Sequence, residues 1–591
     1  MEITATVKEM AMDARPPQDP FTLAGRRLGA LPLINGIAGR MGLARLLDKH
    51  MPLPDVRMRL TPAAVIQVVI ANLVLCHRPL YALAEWAAPY DARLLGLAEG
   101  DAMFLTDDRV GRALDLLFDA DRGALLTELL VGVVGEFSLD LSQLHNDSTS
   151  IKLQGEFAGL DGSARGAKPT AAAARGHSKD HRPDLPQLVY ILTVSHDGAV
   201  PVTYRLADGN TNDDPTHIPT WDTLVTLTGT PDFLYVADCK LASTDAMTHI
   251  DSHGGRFVTV LPRSRKEDTF FRTWITTHAP GWTEAIRLPG RRLDDPDRIY
   301  TVAPAPAPSK EGFRIIWVHS SGKHSNDADA RQEKITRGLA AIDELSTRLA
   351  GPRCRIRDRV TAEQALAAVL AGAGASRWIN PAIEEITTET AKKSGPGRPR
   401  NDGTTPHVVV TSVRYQASGT VDDTKVTADA ASDGCFPLIT NDRDADGHLA
   451  LTDAQVLHAY RQQPNLERRN HLLKSMQHVA PVWLRTPHRV EALFCCHFLA
   501  LMIGALLERQ ARHAMAGTDL DAIAAYPEHR ACTAPSAERI FEIFADLASH
   551  DLHDAGGTHV QTFDPQLTAI QQQLLDLIGI PQTAYTTAAD R

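Results

Sequence analysis

Three carboxylates could do chemistry together in this sequence. Asp147 closes a strand-like run that begins at Phe137, Asp238 closes the apolar run Phe233-Leu-Tyr-Val-Ala, and Glu467 lies far downstream in a helical segment. Strand ends are where α/β sheets build their sites. Carboxylates on rigid elements suit Mg2+, a hard ion that prefers oxygen ligands and keeps several waters. Two such ions about 4 Å apart can activate an attacking oxygen and steady a leaving one during phosphoryl transfer. Asp147, Asp238 and Glu467 are therefore the expected catalytic residues and metal ligands. A site of that kind would take a pair of Mg2+ ions, for which Mn2+ can substitute.

The segment around the glutamate reads Tyr460-Arg-Gln-Gln-Pro-Asn-Leu-Glu467-Arg-Arg-Asn-His-Leu-Leu-Lys474. Tyr460, Gln463, Glu467, His471 and Lys474 recur at steps of three or four, which predicts one face of a helix over 452–477. A face with Tyr, Glu and Lys suits a metal and phosphates better than a core. Pro464 is a blemish, because it removes a backbone donor and can kink the helix. Tyr460, Arg461, Gln463 and Lys474 are the expected DNA contacts here. Gly397-Arg398-Pro399-Arg400 resembles an AT-hook core, which lays arginines in the minor groove. Arg398 and Arg400 are thus further expected DNA contacts, with a flexible basic linker as the equal alternative.

The surrounding pattern supplies elements to hold these residues. Residues 1–20 are polar and Pro-rich and read as a disordered N-terminus. Residues 21–136 read as a helical N-terminal domain, the candidate for binding DNA ends, with Thr106-Asp107-Asp108 as a helix cap. Residues 137–266 carry strands: Phe137 to Asp147, Gln187 to Val194, Ala199 to Leu206, and the run into Asp238. His196-Asp197-Gly198 suits a tight hairpin between the middle two. Residues 267–430 read as an inserted mixed α/β domain, with an amphipathic helix through Ile335, Leu339, Ile342, Leu345 and Leu349. Residues 431–510 return to the sheet and hold the glutamate helix. Residues 511–591 read as a helical C-terminal region.

Bulk properties bound the class. The chain has 591 residues, 43% of them hydrophobic, and 61 basic against 72 acidic residues for a net charge of −11. DNA contact would then need locally grouped cations. Seven cysteines fall at irregular spacings without a C-x-x-C pair, so neither a disulfide framework nor a zinc ribbon is expected, and a reducing cytoplasmic setting fits. The N-terminus shows no apolar signal core, and the apolar stretches 63–75 and 492–507 read as buried helices. No membrane partner is expected. Without a P-loop or G-x-G-x-x-G, neither is a nucleotide cofactor.

The glutamate segment resembles the Tyr-x-x-Arg-x-x-x-Glu-x-x-x-x-x-x-Lys signature of DDE transposases from bacterial insertion sequences. Tyr460, Glu467 and Lys474 match in register. Gln463 stands where that family has Arg, with Arg461 two residues away. His145-Asn-Asp147-Ser-Thr-Ser and Val236-Ala-Asp238-Cys-Lys-Leu resemble the two aspartate motifs. Gly176 to Gln187 and Asp208-Gly-Asn-Thr-Asn-Asp213 resemble the segments between them. Leu105 to Leu114 is similar to the branch with a long insertion before the glutamate. The resemblance implies an α/β fold with an RNase H-like core, interrupted by the inserted domain. It also implies DNA cleavage at element ends, strand transfer into target DNA, and action as a homodimer or higher assembly on double-stranded DNA near the nucleoid. Two other classes stay open: a catalytically inactive transposase-derived DNA-binding protein, and another RNase H-like nuclease.

Overall fold

The computed structural model describes residues 21–51, 58–75, 78–153, 159–176, 183–290, 295–351, 353–396, 407–443, 447–475, 484, 486–518, 520–528 and 530–586. The chain forms two compact units. One comprises Met1–Ala237, Ser252–Gly255 and Gln462–Arg591; the other comprises Asp238–Asp251 and Arg256–Arg461. The first 20 residues, read above as disordered, lie outside the described ones.

In the first unit, helices Leu31–Arg40, Pro62–Leu75, Asp107–Asp119 and Arg122–Phe137 share a core with the long helix Pro487–Gly517. Thr106 caps the third of these through the Arg109 amide, as its sequence predicts. The middle of the long helix is apolar on nearly every side because it is surrounded. By length and composition it could cross a membrane, yet 89% of that stretch is packed inside the protein.

Both ends of this unit depart from the helical reading. Phe21–Arg27 is a strand that pairs antiparallel with Ala548–Asp554, which in turn pairs with His559–Phe563. An Arg26–Asp551 ion pair at 2.6 Å spans the first pairing. Local periodicity could not show this, because each strand's partner lies at the opposite end of the chain.

The unit's sheet runs in the order Pro201–Ala207, Gln187–Ser195, Gln143–Lys152, Leu234–Ala237. The first two pairings are antiparallel and the last is parallel. Two sequence expectations need correction here. Phe137 ends a helix, with Ser138 left-handed behind it, so the strand starts only at Gln143. Asp147 does not end that strand, which continues to Lys152 because the antiparallel neighbour keeps pairing with it, Asp147 opposite Leu192. The tight hairpin is a longer connection through Val200. There Gly198 takes a φ of +78°, and a Cβ at that position would meet the Arg509 side chain at 2.8 Å.

In the second unit, five strands of one sheet run in the order Arg256–Val260, Cys435–Thr440, Arg314–Ser320, Arg298–Pro304 and Thr283–Leu288, all antiparallel. Helices Ser321–Ala350 and Arg359–Ala373 pack Ile342, Leu345, Leu366 and Leu370 against Ile379, Ile383 and Tyr415 of a two-stranded ribbon, Ile379–Lys393 with His407–Val421. The unit therefore extends beyond the expected insertion of 267–430. Cys435–Thr440 is shared between strands on either side of it, which ties it to this unit.

Candidate functional site

The predicted 452–477 helix is two helices, Asp453–Tyr460 and Gln463–Ser475, with Arg461 and Gln462 between them. Pro464 accounts for the break. It has no N–H to continue the ladder, and its ring would clash with the carbonyl of Tyr460. Tyr460 and Arg461 thus belong to the second unit and the glutamate helix to the first. The expected single face from Tyr460 to Lys474 does not exist. The Tyr460 ring stands 6.5 Å from that of Phe436, and the Arg461 guanidinium lies 4.2 Å over the face of Tyr300.

In the first unit, the glutamate helix lies along the Asp147 strand and is tied to it at two points. Gln463 is buried, with Nε2 donating to the Asn146 carbonyl at 3.0 Å and Oε1 accepting from His145 Nδ1 at 2.9 Å. His145 Nε2 accepts from Gln143 Nε2 at 2.8 Å. Burial pushes the His145 pKa down to about 4, against the opposing pull of Gln463, so the ring is neutral with its proton on Nδ1. Two turns on, Asn470 Nδ2 donates to Asp147 Oδ2 at 3.1 Å. Glu467 is exposed and sits on the helix face between these two anchors. The helix that carries Glu467 thus runs along the strand that carries Asp147.

Gln463 is therefore corrected from a DNA contact to a strut, since both ends of its amide are used inside the protein. Lys474 is half-buried in the last turn of the same helix. Arg398 and Arg400 lie outside the described residues.

The back of the glutamate helix is clamped by charge. Arg469 is buried and donates to the carbonyls of Ala199 and Gly198 and to Glu508 at 2.8 Å. Arg468 reaches Glu508 at 2.9 Å and Glu538 at 3.3 Å. Burial would raise the pKa of Glu508, but Arg469, Arg512 and Arg468 outweigh it and hold the carboxylate below its usual range. Arg489, on the long helix, is likewise held by a carboxylate, Asp115, at 2.7 Å.

Asp238 follows directly on the strand Leu234–Ala237, and in the second unit its Oδ1 accepts from the Lys240 amide at 3.0 Å while its carbonyl accepts from Thr259 Oγ1. Within the first unit, the parallel register runs from Gln143 opposite Leu234 to Asn146 opposite Ala237. Asp147 and Asp238 are the next residues along those two strands.

Among the described residues, no three His, Cys, Asp or Glu side chains converge closely enough to hold a metal ion. The donor chemistry nevertheless suits a hard cation. Asp147 and Glu467 offer carboxylate oxygens, and Asn470 Oδ1 beside Asp147 is a buried acceptor with no partner. Mg2+ takes few protein ligands and completes its shell with water and substrate phosphate. Sequence reasoning missed Asn470. Its signal was an amide three residues after Glu467, on the same face as Gln463.

Residues 23–131 match the family described as "Domain of unknown function (DUF4277)". No curated protein matches the chain. Among solved structures, the cryo-EM structure of the piggyBac transposase synaptic complex with hairpin DNA is similar at a TM-score of 0.30 and 8% identity, over 82% of this chain and 78% of that one. At that score two chains need not share a fold.

Proposed function

We propose that this chain is a DNA transposase of the DDE type, with an RNase H-like core, that cuts DNA at the ends of its element and joins the freed 3′ hydroxyls to target DNA. One observation carries the reading. The parallel register ending at Asn146 and Ala237 sends the chain into Asp147 and Asp238 from two neighbouring strands, and the helix bearing Glu467 is held across the first of them by Gln463 and Asn470. The spacing of Tyr460, Glu467 and Lys474 and the order of the aspartate motifs support it from the sequence side.

In this reading Asp147, Asp238 and Glu467 would hold two Mg2+ or Mn2+ ions, which supply the charge that polarises a scissile phosphate and its attacking oxygen. The protein's own share is positional. Gln463 and Asn470 fix the height of the glutamate helix on the strand, and Glu508 fixes its back. Asn470 restrains one oxygen of Asp147. Lys474, two turns from Glu467, contacts a phosphate. The substrates are double-stranded element ends and target DNA, held by a homodimer or higher assembly in the cytoplasm.

The test is cleavage of a plasmid carrying the coding region and its flanking DNA, by purified protein with Mg2+ or Mn2+. Wild type should cut at the element ends, and Asp147→Ala, Asp238→Ala and Glu467→Ala should each reduce cutting to background while melting like wild type. Full cleavage by any of the three would refute the assignment. A second reading has its own support: the position given to arginine in the resembling family holds a buried glutamine, which suits a protein that binds DNA ends without cutting them. End binding without cleavage in either metal would establish that reading. Cutting with no preference for the ends would point to another nuclease of this fold.

A further inference from the structure

Among the described residues, the glutamate helix carries a buried polar atom with no hydrogen-bond partner. Asn470 is 6% exposed, and while its Nδ2 donates to Asp147 Oδ2, its Oδ1 has no hydrogen-bond partner and no solvent access. Buried polar groups are nearly always paired, and an unpaired acceptor is costly to keep. Flipping the amide gives no relief, because it would turn a carbonyl toward the Asp147 carboxylate and leave the NH2 group orphaned instead. The orientation is thus fixed by Asp147, and the orphan is the oxygen.

Two polar side chains of the same helix are committed elsewhere. Gln463, two turns back, is used by His145 and Asn146. Arg469, the preceding residue, points to the opposite side and is used by Ala199, Gly198 and Glu508. Asn470 Oδ1 thus lies on the residue that holds the Asp147 carboxylate, one turn along the helix from Glu467. An unpaired buried oxygen beside a carboxylate calls for a cation or a cation-bound water.

We propose that Asn470 is a member of the divalent-cation site. Its Nδ2 orients Asp147, and its Oδ1 receives either the cation or a water bound to it. This rests on the cation-dependent reading above and adds a residue that the three-carboxylate pattern does not contain. An amide suits the place better than a fourth carboxylate. It adds an oxygen without adding negative charge beside Asp147, and it alone can both donate to that carboxylate and accept from the far side.

The experiment is Mn2+ binding to the full-length chain without DNA, followed by the electron paramagnetic resonance signal of free Mn2+, with melting temperature read in parallel with and without the ion. Asn470→Ala should weaken Mn2+ binding about 10-fold or more, the usual effect of removing a group that orients a ligand. Its metal-free melting should change little, because the lost bond to Asp147 and the removed orphan oppose one another. Asn470→Asp should melt lower than wild type without metal, since two carboxylates then face each other with no donor between them. Its gain on adding Mn2+ should exceed that of wild type. A purely structural asparagine would give the reverse for the last variant, a loss that Mn2+ does not repair. Asp147→Asn serves as the control and should abolish binding. If wild type binds Mn2+, Asp147→Asn does not, and Asn470→Ala binds like wild type, this inference is wrong and the function reading stands. If wild type binds no Mn2+, both fall together.

Discussion

Replacing Gln463 tests the architecture directly, because one side chain joins the glutamate helix to the strand that carries Asp147. In Gln463→Leu, a substitution of similar volume, the His145 Nδ1–H and the Asn146 carbonyl both lose their partner in a site closed to water. Each orphaned group costs about 1–3 kcal/mol. A carbonyl with two lone pairs can keep part of its bonding, so the total should be roughly 2–4 kcal/mol. A two-unit chain of this length need not unfold in one step, so a global melting curve would not isolate this helix. Amide hydrogen exchange across 463–475 measures local opening instead. Protection there should fall by about 30-fold to 1000-fold, while protection in the ribbon Ile379–Lys393 stays unchanged. Gln463→Arg, which restores the residue of the resembling family, should be no gentler. A guanidinium can donate to the Asn146 carbonyl but cannot accept from His145, and its charge would be buried beside a ring that already avoids protonation. Pairing it with a residue at 145 that offers an acceptor should recover most of the loss. Unchanged exchange over 463–475 in Gln463→Leu would refute the claim that this glutamine holds the helix.

Other consequences follow from the same contacts. Glu508→Ala would leave Arg468, Arg469 and Arg512 without their shared carboxylate, and breaking a buried ion pair from one side costs about 3–5 kcal/mol, so the melting temperature should drop by several degrees. A melting temperature within 1 °C of wild type would show that the clamp is dispensable. Acid should destabilise the first unit through His145 and His217, whose pKa values burial lowers to about 4. The unfolded chain then binds more protons than the folded one between about pH 6.5 and 4. Stability is full above that window and is lost as pH falls through it, on the order of 3 kcal/mol for each ring. Denaturant midpoints that stay level from pH 7 to 4 would contradict this. His145→Asn should flatten its share of the slope.

Several elements were legible because they are local. A buried run ending at Asp238 gives a strand with an acidic end, Thr106 before two aspartates gives a capped helix, and the three-to-four spacing of Ile335, Leu339, Ile342, Leu345 and Leu349 gives a packed one. Each of these depends only on near neighbours, and the structure has all of them. What escaped depends on partners distant in sequence. Asp147 sits mid-strand because Leu192 keeps it paired, and Phe21–Arg27 is a strand because residues 548–554 run beside it.

Pro464 shows how one residue can be read correctly and still mislead. As a helix blemish it suggested a kink within one helical face; as a true break it moves Tyr460 and Arg461 onto other partners and frees the next helix to start at Gln463. A helix beginning there has its first side chain in place to bond His145 and the Asn146 carbonyl, and its eighth in place to bond Asp147, two turns and about 10 Å further along. Were the helix continuous from residue 453, that phase would be set by Tyr460 and its contacts with Phe436. The proline separates the two, so the glutamate helix takes its position from the strand that carries Asp147 and from Glu508, and not from the helix before it. Pro464→Ala tests this: if fusing the helices leaves exchange protection at 463–475 and cleavage unchanged, the break does not set the phase.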